Sequence, residues 1–196
     1  RLSCESAVLL RNEGALPLKP GRRNKVLLMG PNASVIPCGG GSGRVDPIYS
    51  ISLAEGMKGL GRNWSVSVAD GKPSVKELES ASAVIVSVGF NSKTEKENSD
   101  RTFSLPEGQD ELIEYAAAHN SKVIVVIYAG GAVDMSRWKD KVSAIVMGWY
   151  PGQEGGKAIA NILVGKVNPS GKLPFSFPRE YADCPIRTEA QYPGIK

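Results

Sequence analysis

Residues 144–178 read AIVMGWYPGQEGGKAIANILVGKVNPSGKLPFSFP. The apolar run Ala144 to Met147 is broken directly by Trp149-Tyr150-Pro151-Gly152. Gln153, Glu154, Gly155 and Gly156 then lead into a segment whose Ala158, Ile159, Ile162 and Leu163 share one helical face. Asn168-Pro169-Ser170-Gly171 stops that helix with residues suited to turns and positive φ. Lys172 to Pro178 is an extended tail with Phe175-Ser176-Phe177 at its centre. Strand, loop, helix, turn is half of an α/β unit.

The same alternation runs upstream. Lys25 to Met29 is a continuous apolar strand ending at Gly30-Pro31-Asn32, and Ala83 to Val88 and Val123 to Tyr128 repeat that form. Ser65 to Ala69 is a further strand. Helices are predicted over Ser52 to Leu60 and Ser74 to Ala81, each with a serine N-cap. Another is predicted from Pro106, at its first position, to about Asn120. Glu5 to Arg11 also reads as a short helix, closed by Asn12-Glu13-Gly14. Apolar strands alternating with helices predict an α/β fold, a mainly parallel sheet with helices on both faces. In such sheets ligands bind beyond the carboxyl ends of the strands, so the loops Gly30 to Val45, Gly89 to Leu105 and Gly148 to Gly156 are expected on one edge.

Composition narrows the function. The 196 residues are 41% hydrophobic and 22% charged, with a net charge of +4, which fits a globular domain. Lys19, Arg22, Arg23 and Lys25 form the nearest thing to a basic cluster, and no aromatic stripe accompanies it. A nucleic-acid partner is therefore not expected. No run approaches the roughly 20 apolar residues of a membrane helix, so no membrane partner is expected either. Cys4, Cys38 and Cys184 lack metal-ligand spacing and leave at most one optional bridge. The single histidine, His119, falls at a helix end and reads as a cap. No metal site and no cofactor are predicted.

Three loops carry the candidate residues. Cys38-Gly39-Gly40-Gly41-Ser42-Gly43-Arg44 lacks the Lys-Ser/Thr of a P-loop, and Pro31 to Pro37 separates it from its strand. It reads as a turned surface loop rather than a phosphate site. Phe90 to Arg101 holds the densest set of ionisable groups, and from its residues alone it is a solvated charged loop. Asp100-Arg101 within it reads as an internal ion pair. In the third loop, Glu154 is a carboxylate favoured by a helix N-terminus. Trp149 there follows a buried strand and reads as core at least as readily as a ring that stacks on a sugar.

Taken together, these pieces resemble the second domain of family 3 glycoside hydrolases, the β-glucosidase and β-xylosidase family. The resemblance runs from ESAVLLRNEGALPL, at residues 5–18, through WYPGQEGG to NPSGKLPFSFP. It includes a GGGS-type loop after the first parallel strand, which in the family lies near the sugar site. It also includes a Glu just ahead of an Asp-Arg pair and a Leu-Pro, here Glu97-Asn98-Ser99-Asp100-Arg101 and then Leu105-Pro106. The glycine usual beside that Glu is absent here, with Lys96 before Glu97 and Asn98 after it.

On this resemblance Glu97 is the acid/base of a retaining β-glycosidase, with Glu95 as runner-up. Gly41, Ser42 and Trp149 are candidate substrate-binding residues. The nucleophile is expected on a preceding (β/α)8 barrel domain, so the active site would be shared between domains. The implied domain plan is a lead-in from the barrel over residues 1–24, the α/β sandwich over 25–178, and a tail over 179–196 leading onward. The chain is thus read as part of a longer polypeptide, inactive alone, whose substrate is a β-glycoside or oligosaccharide. The resemblance favours a periplasmic or extracellular location. The competing reading is a non-catalytic carbohydrate-binding or structural domain of such an enzyme.

Overall fold

The computed structural model describes residues 1–21, 24–188 and 190–191. Arg22, Arg23 and the end of the predicted tail, 192–196, lie outside the described residues. Five strands, β2 (Lys25–Met29), β3 (Ser65–Val68), β4 (Ala83–Gly89), β5 (Val123–Tyr128) and β6 (Ala144–Met147), run parallel. Strand β1 (Val8–Asn12) pairs antiparallel with β6, and the sheet order is β1-β6-β5-β4-β2-β3. Central strands β4 and β5 are buried along their whole length, because both faces of the sheet are covered.

Alternate residues of each strand feed two cores. Leu28, Ile85, Ile124 and Val126 pack with helices α2 (Leu53–Lys58) and α5 (Gly155–Leu163) through Leu53, Met57, Ile159 and Leu163. Leu27, Val84, Val86 and Val125 pack on the other side with α3 (Val75–Ser80) and α4 (Gln109–His119) through Leu78, Ile113 and Ala116. Ser52 and Ser74 cap α2 and α3 as predicted. Each forms a reciprocal capping box, with Glu55 and Glu77 respectively.

Three sequence expectations are corrected. Residues 5–11 are not one helix: helix α1 (Leu2–Ser6) ends there and Ala7 is extended, with φ −61° and ψ 140°. Val8-Leu9-Leu10 then takes the open edge of β6, where its backbone groups find partners and Val8 becomes buried. Helix α4 begins at Gln109 rather than Pro106, because Gly108 before it is left-handed, with φ 80°. The Gln109 side chain instead anchors the end of β4. It accepts from the Gly89 N–H at 2.7 Å and donates to the Gly89 carbonyl at 3.0 Å. His119 does not cap α4. Asn120 closes the helix, and the His119 ring packs edge-on to Tyr115 at 5.0 Å.

The topology fixes where a ligand can sit. From β2 the chain moves outward to β3, then crosses back to β4 on the other side of β2. The loops leaving β2 and β4 therefore diverge at a topological switch point, the place where open α/β sheets bind ligands.

Candidate active site

The loops that follow β2, β4 and β6 meet at this carboxyl edge, as expected from the sequence, and the loop after β5 joins them. In the β4 loop, Lys96 and Ser99 form an antiparallel bridge, which puts Glu97 and Asn98 at the tip of a tight turn. Asn98 has φ 57°. Asparagine is the side chain that best tolerates this left-handed conformation after glycine.

Gly41 of the β2 loop, with φ 71°, lies against that tip. A Cβ on Gly41 would come within 2.9 Å of the Glu97 side chain. Ser42 follows. Its N–H donates to Glu97 Oε2 at 2.7 Å and its hydroxyl donates to the same oxygen. Gly41, and Gly40 before it, whose Cβ would lie 2.4 Å from the Ser92 carbonyl oxygen, thus serve close approach between two loops, which is a reading the run alone did not carry.

Those two Ser42 bonds hold the Glu97 carboxyl below the usual carboxylate range. A carboxyl depressed in the folded state stabilises the fold above its unfolded pKa, and that contribution is lost as pH falls through the folded pKa. Ser42→Ala removes the hydroxyl bond, so Glu97 is expected to titrate at a higher pH. Carbon-detected NMR of its carboxyl through an acid titration measures this, and an unchanged midpoint would contradict the assigned bonding.

Glu95, two residues earlier, is differently placed. Its Oε1 meets Arg101 Nε at 2.7 Å, with both side chains 19% exposed. Its Oε2 accepts from the Gly130 N–H at 2.8 Å and from the Tyr150 hydroxyl. Arg101 also donates to the Ala132 carbonyl at 2.6 Å and lies over the Phe90 ring at 4.8 Å. The ion pair expected at Asp100-Arg101 is therefore corrected: Arg101 pairs with Glu95, because the loop doubles back. Tyr150 was missed in the sequence. Burial, with the bond to Glu95 second, pushes its phenol pKa up, so it stays a donor.

Trp149 has φ 56°. Its indole N–H donates to the Ser6 carbonyl at 2.9 Å and its ring stands edge-on to Phe175 at 5.8 Å. It borders an open depression of about 310 Å³ together with Gly130, Lys172 and Phe175. Glu154 sits at the N-cap of α5 as read, accepting from the Tyr49 hydroxyl at 2.6 Å. Among the described residues no group of three His, Cys, Asp or Glu side chains is placed to hold a metal ion. No helix there is long and apolar enough to cross a membrane.

The sequence matches the model of the glycosyl hydrolase family 3 C-terminal domain over residues 7–194. The chain belongs to glycoside hydrolase family 3. It is 33% identical to Beta-glucosidase BoGH3A of Bacteroides ovatus over 98% of this chain and 30% of that protein. It is likewise 33% identical to Beta-D-xylosidase 1 of Arabidopsis thaliana, over 97% of this chain and 27% of that one. Its structure is similar to β-glucosidase 3B from Thermotoga neapolitana, with a TM-score of 0.81 and 31% identity over 97% of this chain and 31% of that one. A TM-score of 0.83 relates it to the Bifidobacterium adolescentis family 3 β-glucosidase at 30% identity, over 99% and 30% of the two chains. The chain spans about 30% of the length of these family 3 relatives, and what it matches in them is a C-terminal domain.

Proposed function

We propose that this family 3 domain supplies the acid/base, Glu97, to a retaining β-glycosidase active site. The other carboxyl group, the nucleophile, would lie on a (β/α)8 barrel of the same polypeptide. The observation that carries this reading is the position of Glu97: an exposed carboxylate on a turn at the switch point, with Ser42 as its hydrogen-bond partner. Glu95 is committed on both oxygens to Arg101, Gly130 and Tyr150, which favours Glu97 for contact with a substrate.

Retaining hydrolysis needs two carboxyl groups about 5–5.5 Å apart. Glu97 would give its proton to the leaving oxygen as the glycosidic bond breaks. Its carboxylate would then take a proton from the water that attacks the glycosyl-enzyme. In the chain by itself the carboxyl is held ionised by Ser42. Desolvation beneath a second domain opposes that and moves the pKa toward what a general acid requires. Gly41 and Ser42, beside Glu97, would border the bound sugar.

A domain packed on this edge is supported by the exposed apolar side chains that follow Ser42 in the chain: Ile48 is 97% exposed, Val45 76% and Tyr49 50%. The β-glucosidase and β-xylosidase names of the relatives set the proposed substrate class, terminal β-D-glycosides.

The isolated chain is then expected to show no turnover of aryl β-glucosides or aryl β-xylosides, while the full-length protein hydrolyses one or both. Turnover by the purified chain, abolished by a point change within it, would mean that a complete site exists here and that the shared-site reading is wrong.

A further inference from the structure

Glu95 gathers more loops than any bond of its own turn requires. Its backbone carbonyl accepts from the Gly40 N–H of the β2 loop at 2.9 Å. Its carboxylate takes the Gly130 N–H of the β5 loop, the Tyr150 hydroxyl of the β6 loop, and Arg101 from the far end of its own β4 loop. Strands β6, β5, β4 and β2 are neighbours in that order, so one residue ties together the carboxyl-edge loops of four adjacent strands. We infer that Glu95 is the positioning residue of the acid/base turn, fixing the place from which Glu97 reaches its substrate.

The geometry supports this from both sides of Glu97. The turn closed by Lys96 and Ser99 starts one residue after Glu95 and ends two residues before Arg101. The Glu95–Arg101 pair therefore clasps the base of the hairpin whose tip is Glu97. Arg101 is held in turn by the Ala132 carbonyl and the Phe90 ring, so the clasp is anchored to the sheet edge rather than to solvent. Gly130 permits the approach: a Cβ there would lie 3.1 Å from Glu95 Oε1. Both members of the pair are four-fifths covered, and a charge pair shielded in this way resists solvent competition better than an exposed one. Tyr150 remains a protonated donor because burial pushes its pKa up.

This inference rests on Glu97 as the acid/base, and its test separates the two. In the full-length protein, Glu95→Gln keeps the size of the side chain and loses the charge, while Tyr150→Phe removes one donor alone. Both are expected to lower kcat per active site on substrates with good and with poor leaving groups alike. The loss for Glu95→Gln should be on the order of 10- to 100-fold, the scale of a misplacement near 1 Å, and smaller for Tyr150→Phe. Azide should rescue neither.

In the 196-residue chain, the Gly40 and Gly130 amides of both variants should exchange faster, while the core amides of Val86 and Val126 keep their protection. A merely structural role would instead weaken core protection and leave kcat per active site unchanged. That result overturns the inference, as does unchanged Gly40 and Gly130 exchange in both variants. A loss confined to poor leaving groups and rescued by azide in Glu95→Gln also overturns it, because Glu95 would then be the acid/base itself. Failure of the Glu97 reading is seen separately, in Glu97→Ala.

Discussion

Glu97→Ala in the full-length protein is expected to slow glycosides with poor leaving groups by on the order of 10²- to 10⁴-fold, the usual contribution of a positioned general acid. Substrates with activated aryl leaving groups should lose far less in bond cleavage, because such groups depart with little protonation. For them the second step becomes limiting, since no base is left to activate water. Azide should partly restore turnover there, as a small anion attacks the glycosyl-enzyme without base assistance. The pattern depends on residue 97 being the group that touches the leaving oxygen, and loss of stability alone cannot produce it. The same pattern in Glu95→Ala, with Glu97→Ala unaffected, would move the assignment to Glu95. Its absence from both would put the acid/base outside this chain.

The parallel strands and two capped helices were legible because their signals are local: apolar runs ending in glycine, and a serine N-cap at Ser52 and Ser74. Strand β1 was not. Val8-Leu9-Leu10 has no alternating pattern, and what makes it a strand is the free edge of β6 more than a hundred residues away. The start of α4 was misplaced because Gln109 answers to the buried end of β4, not to the helix. At the candidate site, the meeting of the strand-following loops could be foreseen from the fold, whereas the identity of the partners could not. Arg101 sits next to Asp100 in sequence and pairs with Glu95 in space. Tyr150 looked like part of a chain break and proved to donate to Glu95 from the β6 loop. Asn98, with φ of 57°, takes the left-handed position of the turn that carries Glu97.

The double glycine of the opening stretch has a second, structural consequence. Helices α2 and α5 touch backbone to backbone: a Cβ on Gly156 would lie 2.1 Å from the Ser52 carbonyl carbon and oxygen, and one on Gly56 would lie 2.3 Å from the Gly156 carbonyl oxygen. The contact is bonded as well as close. The Gly156 N–H donates to the Ile51 carbonyl at 2.9 Å, and the Ile51 N–H donates to the Gln153 carbonyl at 2.8 Å. Gly156→Ala gains helix propensity, about 1 kcal/mol at an interior position and less at a first turn. It must also push apart backbone atoms that cannot rotate away, and overpacking of that kind costs about 1–3 kcal/mol or more. The clash wins, because the obstruction is main chain rather than the end of a flexible side chain. A net loss of about 1–2 kcal/mol corresponds to a fall in Tm of about 2–8 °C for a chain of this size. Gly43→Ala is the control: nothing lies within 4 Å of its Cβ and its φ is not in the left-handed region, so its Tm should stay within the range of a neutral surface change, about ±0.5 kcal/mol. Gly56→Ala combined with Gly156→Ala should cost less than the sum of the two, since both open the same contact. Thermal unfolding of the four variants beside the wild type decides the matter, and a Gly156→Ala chain that melts with the wild type would mean the two helices are not held at this distance.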